Sequence, residues 1–203
     1  MKYIALDIGN VLCHVAALPF VDLLSATFDV TLPEASRFLK RFQQIHDLGY
    51  TTMEDELKDH FHVKSPLIIK TLVDAWNDSV TPNTMILDRL NEMRRKHNLQ
   101  VALLSNIGVE HAAMMEEKLD HDGFFPGAIK HFSCYLGARK PSTIFYQSFL
   151  LQYPQFKGCL YVDDLHENLK ASQAFDFKTF HFTLEDEGFE SKISQIEDLI
   201  ING

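Results

Sequence analysis

The chain has 203 residues, of which 46% are hydrophobic and 23% charged, and its formal net charge is −9. This length fits one domain, or a core domain with a smaller insertion. The acidic balance argues against nucleic acid as a partner, because binding to phosphates requires a basic face. No apolar run approaches the ~20 residues that span a bilayer, so no membrane association is expected. The three cysteines are far apart, which predicts reduced thiols in a cytoplasmic protein.

The N-terminal residues 3–7 form a short apolar run that ends at Asp7 and is broken by Gly9 and Asn10. This pattern predicts a buried first strand followed by a tight loop. It differs from a secretion signal, because a long apolar region is missing.

Residues 18–80 show helical spacing throughout, for example at Phe38, Phe42 and Ile45. The sequence therefore predicts an all-helical insertion over residues 15–81. Such an insertion is either a cap over an active site or a helical subdomain with a structural role alone.

Beyond residue 82 the pattern alternates between helices and strands. Strands are predicted at 101–104, 128–132, 159–162 and 178–182, and helices at 83–97, 109–119 and 191–201 and from Ser142 and Leu165. This alternation predicts an α/β fold with a doubly wound, mostly parallel sheet. Its core domain comprises residues 1–14 and 82–203.

Polar residues follow several of these strands. Asp7, Ser105 and the pair Asp163-Asp164 lie at or just past the carboxyl ends, where parallel sheets bind ligands. Asp7 is a candidate nucleophile or metal ligand, although acidic residues end many strands. Ser105 is placed either to donate a hydrogen bond to a phosphoryl oxygen or to cap the next helix.

Lys140 precedes Pro141, which delays the following helix and leaves a cation free to reach the same sheet edge. It is either a phosphate-binding cation or an ordinary exposed lysine. Adjacent carboxylates at Asp163 and Asp164 repel each other unless a cation lies between them, which indicates magnesium (Mg²⁺). The alternative is a solvated acidic turn.

The order of these elements is strand-Asp, strand-Ser, Lys-Pro before a helix and strand-Asp-Asp. It resembles the four motifs of the haloacid dehalogenase-like superfamily over nearly the whole chain. The resemblance implies that Asp7 is the nucleophile and that Ser105 binds phosphate. It also implies that Lys140 is the lysine of the third motif and that Asp163 and Asp164 bind the metal.

Shorter segments resemble a branch with a helical cap that includes sugar phosphatases of the alpha-glucose-1-phosphatase type. They are residues 6–11, 104–106 and 137–141, with 49–52 and 76–77 in the cap. The branch implies a Mg²⁺-dependent phosphatase acting on small phosphorylated metabolites through an aspartyl-phosphate. A monomer is the default expectation. The implied metal ligands are Asp7, the Gly9 carbonyl, Asp163 and Asp164. The implied substrate-binding residues are Ser105, Asn106 and Lys140.

Gly9 departs from the superfamily pattern, in which most phosphatases carry a general acid and base two residues after the nucleophile. General acid–base catalysis is typically worth roughly 10²–10⁴ in rate, so we expect a slow enzyme, a good leaving group or a substitute group. His14 is a candidate substitute, whereas His46, His60 and His62 are expected at the cap surface.

Two other functions remain open on the sequence alone. A metal-free 2-haloacid dehalogenase also lacks the second aspartate, but it does not need Asp163 and Asp164 to hold a metal. A non-catalytic protein that binds a phosphate ligand or a protein is favoured by Gly9 and disfavoured by retention of the other motif residues.

Overall fold

A computed structural model describes residues 1–121, 123–185 and 188–202. The strands are β1 (Lys2–Leu6), β2 (Cys13–Val15), β3 (Val80–Pro82), β4 (Leu99–Ser105), β5 (Ile129–Phe132), β6 (Leu160–Asp163) and β7 (Lys178–His181). The helices are α1 (Leu18–Phe28), α2 (Leu32–His46), α3 (Met53–Asp59), α4 (Pro66–Asn77), α5 (Thr84–His97), α6 (Val109–His121), α7 (Ser133–Leu136), α8 (Thr143–Gln152), α9 (His166–Ser172) and α10 (Phe189–Asn202). Within these ranges, no helix has the length and apolar character required to cross a membrane.

The central sheet has the strand order β5-β4-β1-β6-β7, and all of its pairings are parallel. Strand β1 lies in the middle, where Leu6 is opposite Leu103 on one side and Val162 on the other. The chain leaves β1 toward β4 and β5 and later returns to β6 and β7 on the other side. The prediction of a doubly wound, mostly parallel α/β sheet is confirmed.

Both faces of the sheet are covered, which is why its strands are almost continuously apolar. Side chains alternate along β1, so Ile4 and Leu6 pack on one face and Ala5 on the other. Helices α5, α6 and α10 cover the first face, and Phe145 and Phe149 of α8 cover the second. Each fully buried side chain of this size contributes roughly 1.5–3 kcal/mol.

Helices α1 to α4 form the predicted insertion between β2 and β3. They pack around their own apolar cluster, which includes Phe20, Phe42, Leu57 and Trp76. We call residues 18–77 the cap. This single cluster fixes the four helices relative to one another. It thereby positions the polar residues at the end of α2.

Helix α2 has well-defined ends, and it carries several residues that face the core domain. At its start, the backbone N–H and the hydroxyl of Thr31 both donate to the Glu34 carboxylate, at 2.9 and 2.7 Å. These bonds satisfy groups that a helix start leaves unpaired. At its other end lie His46 and Asp47.

A two-stranded antiparallel ribbon of β2 and β3, which the sequence pattern does not predict, joins the cap to the core. Val15 pairs with Val80, and His14 with Thr81. Three-residue strands are too short to show an alternating pattern, and their pairing depends on a partner far away in sequence. The predicted cap boundaries, 14/15 and 81/82, fall inside this ribbon, and the division into domains stays a prediction.

The cap is docked on the core through buried polar contacts, and the expectation that His46 lies at the surface is wrong. The His46 ring is fully buried, and its Nε2 lies 2.6 Å from Glu110 Oε2 of α6. The other oxygen of Glu110 accepts the backbone N–H of Met53 at 2.7 Å. Gly108 permits this approach, because a Cβ there would lie 1.7 Å from the His46 ring.

The pKa values of the pair support a charged contact. Burial lowers the pKa of His46, but the carboxylates of Asp47 and Glu110 outweigh it and raise the pKa above 6.5. Burial raises the pKa of Glu110, and the contacts with His46 and Met53 reverse this and lower it. Stabilisation by His46 is therefore complete below its ordinary pKa and is lost as pH rises through the raised value. The contribution of Glu110 is lost only when pH falls through its lowered value.

We predict that Glu110→Ala destabilises the protein by about 1–3 kcal/mol, because it leaves buried donors on His46 and Met53 unpaired. The loss should be greater at about pH 6 than at about pH 9, because the raised pKa of His46 favours its charged form at the lower pH. Urea unfolding at both pH values measures it, with Glu117→Ala on the exposed face of α6 as the control. Equal losses at the two pH values would contradict the charged pair.

Candidate active site

The candidate residues meet at the carboxyl edge of the sheet. Asp7 follows β1, Ser105 ends β4, and Asp163 ends β6, with Asp164 next to it. Lys140 comes from the loop before α8 and reaches the same edge. The structure thus brings together groups that lie more than 150 residues apart in sequence.

Lys140 is the centre of this group, with 2% of its surface exposed. Its Nζ lies 2.9 Å from Asp7 Oδ1 and donates to Asp163 Oδ2 at 2.7 Å. It also donates to the Leu104 carbonyl at 2.8 Å and to the Tyr161 hydroxyl at 3.0 Å. Burial of a charged lysine costs free energy unless the ammonium is paired and hydrogen-bonded, as it is here. The alternative of an ordinary exposed lysine is excluded.

Asn106 holds the Lys140 segment in place. Its Oδ1 accepts the Lys140 backbone N–H at 2.7 Å, and its Nδ2 donates to the Lys140 carbonyl at 2.9 Å. Both ends of the amide are therefore used to fix the chain where the lysine enters the site. This contact gives Asn106 a positioning role that the sequence analysis did not anticipate.

Asp163 is fully buried and surrounded by donors. Besides Lys140, its oxygens accept the Tyr161 hydroxyl, the Leu165 backbone N–H at 2.8 Å and the Asn168 amide at 3.0 Å. These contacts fix Asp163 as an anchor for the lysine. Tyr161 and Asn168 were not predicted, because nothing in the sequence distinguishes them from apolar-core and helix residues.

Asp7 has one oxygen engaged and one free. Oδ1 accepts the Ile8 backbone N–H at 2.7 Å and contacts Lys140, while Oδ2 accepts no hydrogen bond from the residues that the structure describes. Burial raises the pKa of Asp7 to about 7, with Lys140 opposing the shift and the charges of Asp163 and Asp164 adding to it. The carboxylate is thus desolvated and oriented, as a nucleophile requires.

The three carboxylates form a potential cation site. Asp7, Asp163 and Asp164 each offer an oxygen, and these oxygens lie within 4.8 Å of one another. One lysine cannot balance their charge, and burial also raises the pKa of Asp164, whose Oδ2 accepts the Asn10 amide at 3.0 Å. Hard oxygen donors with excess negative charge fit Mg²⁺. A solvated acidic turn is excluded by the complete burial of Asp163.

Ser105 is buried, and its hydroxyl has no hydrogen-bond partner in the described part of the chain. It does not cap the next helix, because α6 begins only at Val109. An unpaired hydroxyl at this edge is available to a ligand oxygen.

Gly9 has room for a side chain. A Cβ at this position would meet only Val15 Cγ2, at 3.5 Å, which is an ordinary contact. Glycine here is therefore not required by packing. His14, the candidate substitute for the missing acid, is exposed, and its Nε2 lies 3.0 Å from the Asn83 amide. It is not among the residues that line the cavity next to the site.

That cavity lies between the cap and the core and has a volume of about 120 Å³. Gly9 and Ser105 of the core form part of one wall, and Gln43, Asp47 and Trp76 of the cap form part of the other. We call it the cap cavity. Trp76 was among the cap residues that the motif resemblance singled out, whereas Gln43 and Asp47 were not, because only packing brings the end of α2 to this wall.

The described residues thus provide a buried, oriented carboxylate, a potential cation site, a hydroxyl without a partner and a nearby cavity. Neither family models nor curated proteins match the chain. Solved structures do. The wild-type haloacid dehalogenase (HAD) family enzyme from Bacteroides thetaiotaomicron, in complex with magnesium and inorganic phosphate, gives a TM-score of 0.73 at 18% identity, over 94% of this chain and 98% of that chain.

Two further structures agree. A predicted HAD-like family hydrolase from Porphyromonas gingivalis gives a TM-score of 0.75 at 18% identity over 97% of each chain. An L-2-haloacid dehalogenase gives a TM-score of 0.59 at 17% identity, over 90% of this chain and 85% of that chain. At these identities the shared feature is the architecture, and this chain has the fold of the haloacid dehalogenase-like superfamily.

Proposed function

We propose that this protein is a Mg²⁺-dependent hydrolase that removes phosphate from small phosphorylated metabolites through an aspartyl-phosphate on Asp7. The observation that carries the proposal is the Asp7 carboxylate itself. It is desolvated, held by Lys140 at 2.9 Å, and has one oxygen without a hydrogen bond from the described residues, at the same sheet edge as the buried Ser105. The phosphate and magnesium bound to the Bacteroides enzyme of the same fold support this reading.

In the proposed reaction, the free oxygen of Asp7 attacks phosphorus, and the bond from phosphorus to the ester oxygen breaks. The departing oxygen takes a proton from water in the cap cavity. The hydroxide that remains takes a proton from a second water as this water attacks phosphorus, the bond between phosphorus and Asp7 breaks, and inorganic phosphate and the Asp7 carboxylate are released. Lys140 keeps Asp7 oriented throughout, and Ser105 donates to a phosphoryl oxygen.

Asp7, the Gly9 carbonyl, Asp164 and Asp163 would hold Mg²⁺, with Asp163 contributing directly or through water. When bound, Mg²⁺ supplies positive charge against the phosphoryl oxygens. The donors around Asp163 leave it less free to coordinate than Asp7 or Asp164.

A metal-free 2-haloacid dehalogenase is the second candidate, because an enzyme of that activity shares the fold. The close approach of the carboxylates of Asp7, Asp163 and Asp164 disfavours this candidate, because displacement of halide by an aspartate does not need a cation site. Halide release without magnesium would favour this candidate.

A non-catalytic binding protein is the third candidate. Its support is Gly9, which removes the usual acid and base. The oriented Asp7 argues against it, because a protein that only binds phosphate gains nothing from a buried carboxylate facing an anion. Tight binding of a phosphate ester without any turnover would favour it.

The cellular setting is also part of the proposal. The free cysteines Cys13, Cys134 and Cys159 are all buried, which fits a reducing cytoplasm. With a net charge of −9, a small metabolite is a better partner than nucleic acid or an anionic membrane. We propose a monomer that acts on such metabolites, with sugar phosphates as the class that the motif resemblance favours.

We predict that Asp7→Asn abolishes Mg²⁺-dependent phosphate release from acetyl phosphate, because the amide is not a nucleophile. Acetyl phosphate suits the test, since its acetate leaves without an acid. Circular dichroism should show an unchanged fold, and Asp176→Asn, at an exposed surface pair with Lys157, is the matched control. Normal turnover in Asp7→Asn would refute the nucleophile.

Magnesium should raise the melting temperature of the wild-type protein, because it relieves repulsion among the carboxylates. At a concentration one hundred times its dissociation constant, a bound ion stabilises by about 2.7 kcal/mol. Asp164→Asn should reduce the shift measured by calorimetry, whereas Asp176→Asn should keep it. A shift that is the same in both variants would place the ion elsewhere.

Introducing the missing acid should accelerate the reaction. We predict that Gly9→Asp raises kcat for an alkyl phosphate by about 10²-fold or more, because a Cβ fits at this position and a carboxylic acid can protonate a poor leaving group. Gly9→Asn has the same size and cannot supply a proton, so it should give no gain. If both variants behave alike, proton transfer does not limit this enzyme.

A further inference from the structure

Asn10 lies in the loop after β1, and no step of the proposed reaction uses it. Its φ is +52°, in the left-handed region of the backbone. Asparagine tolerates this region better than most residues, but glycine enters it without any steric cost. The backbone conformation therefore does not by itself require a side chain at this position.

The backbone of Asn10 holds the loop without help from the side chain. Its N–H donates to the Cys13 carbonyl at 2.7 Å, and its carbonyl accepts the Leu184 N–H at 2.7 Å. Glycine can make both of these bonds, because they involve only main-chain atoms. A change of Asn10 to glycine thus removes the side chain and keeps the loop contacts.

The side chain of Asn10 contacts a carboxylate of the potential cation site. Its Nδ2 donates to Asp164 Oδ2 at 3.0 Å, between residues 154 positions apart in sequence. Hydrogen bonds to a charged acceptor are stronger than those between neutral groups. Burial raises the pKa of Asp164, and the bond from Asn10 opposes this rise. Asn10 therefore favours the charged form of Asp164, which is the form that binds a cation.

Asp164 depends on this bond more than the other two carboxylates do. Lys140 holds those two at 2.9 and 2.7 Å, whereas no ion pair links Asp164 to a cation within the described residues. The backbone of Asp164 is held separately, since its carbonyl lies 2.9 Å from His181 Nε2. The direction of the carboxylate is left to its side-chain torsions, and the Asn10 amide restricts them.

We infer that Asn10 is a positioning residue that directs Asp164 toward the cation and makes the site favour a small, octahedral ion. Mg²⁺ demands near-ideal octahedral geometry, whereas Ca²⁺ accepts more oxygen ligands in flexible arrangements. An Asp164 carboxylate that is free to rotate therefore weakens Mg²⁺ binding more than Ca²⁺ binding. This inference rests on the cation site of the proposed function and assigns its selectivity to one residue.

The test measures the dissociation constants of Mg²⁺ and Ca²⁺ by isothermal titration calorimetry on the full chain, purified without divalent cations. Asn10→Gly removes the amide and suits the left-handed backbone. Asn98→Gly is the matched control, because Asn98 has a φ of +51° at an exposed position just before β4, at the opposite end of the sheet from the site. Melting temperatures without cations show whether both variants fold.

We expect Asn10→Gly to weaken Mg²⁺ binding by about 10- to 100-fold, as the loss of a group that orients a metal ligand typically does. Ca²⁺ binding should weaken less, so that the ratio of the Mg²⁺ to the Ca²⁺ dissociation constant rises by at least about threefold. Asn98→Gly should leave both constants unchanged. A role limited to the shape of the loop would not change this ratio.

Unchanged Mg²⁺ binding in Asn10→Gly, an equal loss for the two ions, or an equal loss in Asn98→Gly overturns the inference and leaves the proposed hydrolase intact. Failure of the wild type to bind Mg²⁺ refutes the cation site, and the inference with it. If the wild type binds Mg²⁺ but releases no phosphate from acetyl phosphate, the proposed function fails, and the ratio still decides the role of Asn10.

Discussion

The buried ammonium of Lys140 is the interaction on which the site depends. It contacts Asp7 and Asp163 at 2.9 and 2.7 Å, and so it links the strands β1 and β6 to the loop before α8. Without it, buried carboxylates at adjacent strand ends would repel one another and take up protons. Asn106 fixes the lysine's backbone, and Tyr161 shares its partner Asp163, so the site is a preorganised network rather than a set of independent side chains.

The sequence predicted the parts of the site that belong to the parallel sheet. The ends of the strands can be predicted, because an apolar run stops at Asp7, Ser105 or Asp163. Parallel strands bring their carboxyl ends to the same edge of the sheet. The contacts that depend on side-chain packing were not readable. His46 follows a helical pattern like any surface residue, and only the docked structure shows it fully buried against Glu110. The β2–β3 ribbon was missed for the same reason, since its pairing is set by tertiary structure.

The end of helix α2 connects the cap to the core domain. His46 docks α2 onto α6, and the next residue, Asp47, pairs with Arg139 beside Lys140. Gln43, one turn earlier, lines the cap cavity and has no side-chain hydrogen bond to the residues that the structure describes. The cap cavity is lined by Gly9, which stands where the proposed reaction would use a general acid.

The central claim is that Asp7 becomes phosphorylated. The most direct measurement is mass spectrometry of peptides after the wild-type protein has reacted with acetyl phosphate and magnesium and has been quenched in acid. We expect the added mass of one phosphoryl group on the peptide that contains Asp7. This added mass should disappear when the quenched sample is treated with hydroxylamine at neutral pH. Phosphate release with no modified Asp7 peptide, or a phosphoryl group on another residue, would contradict it.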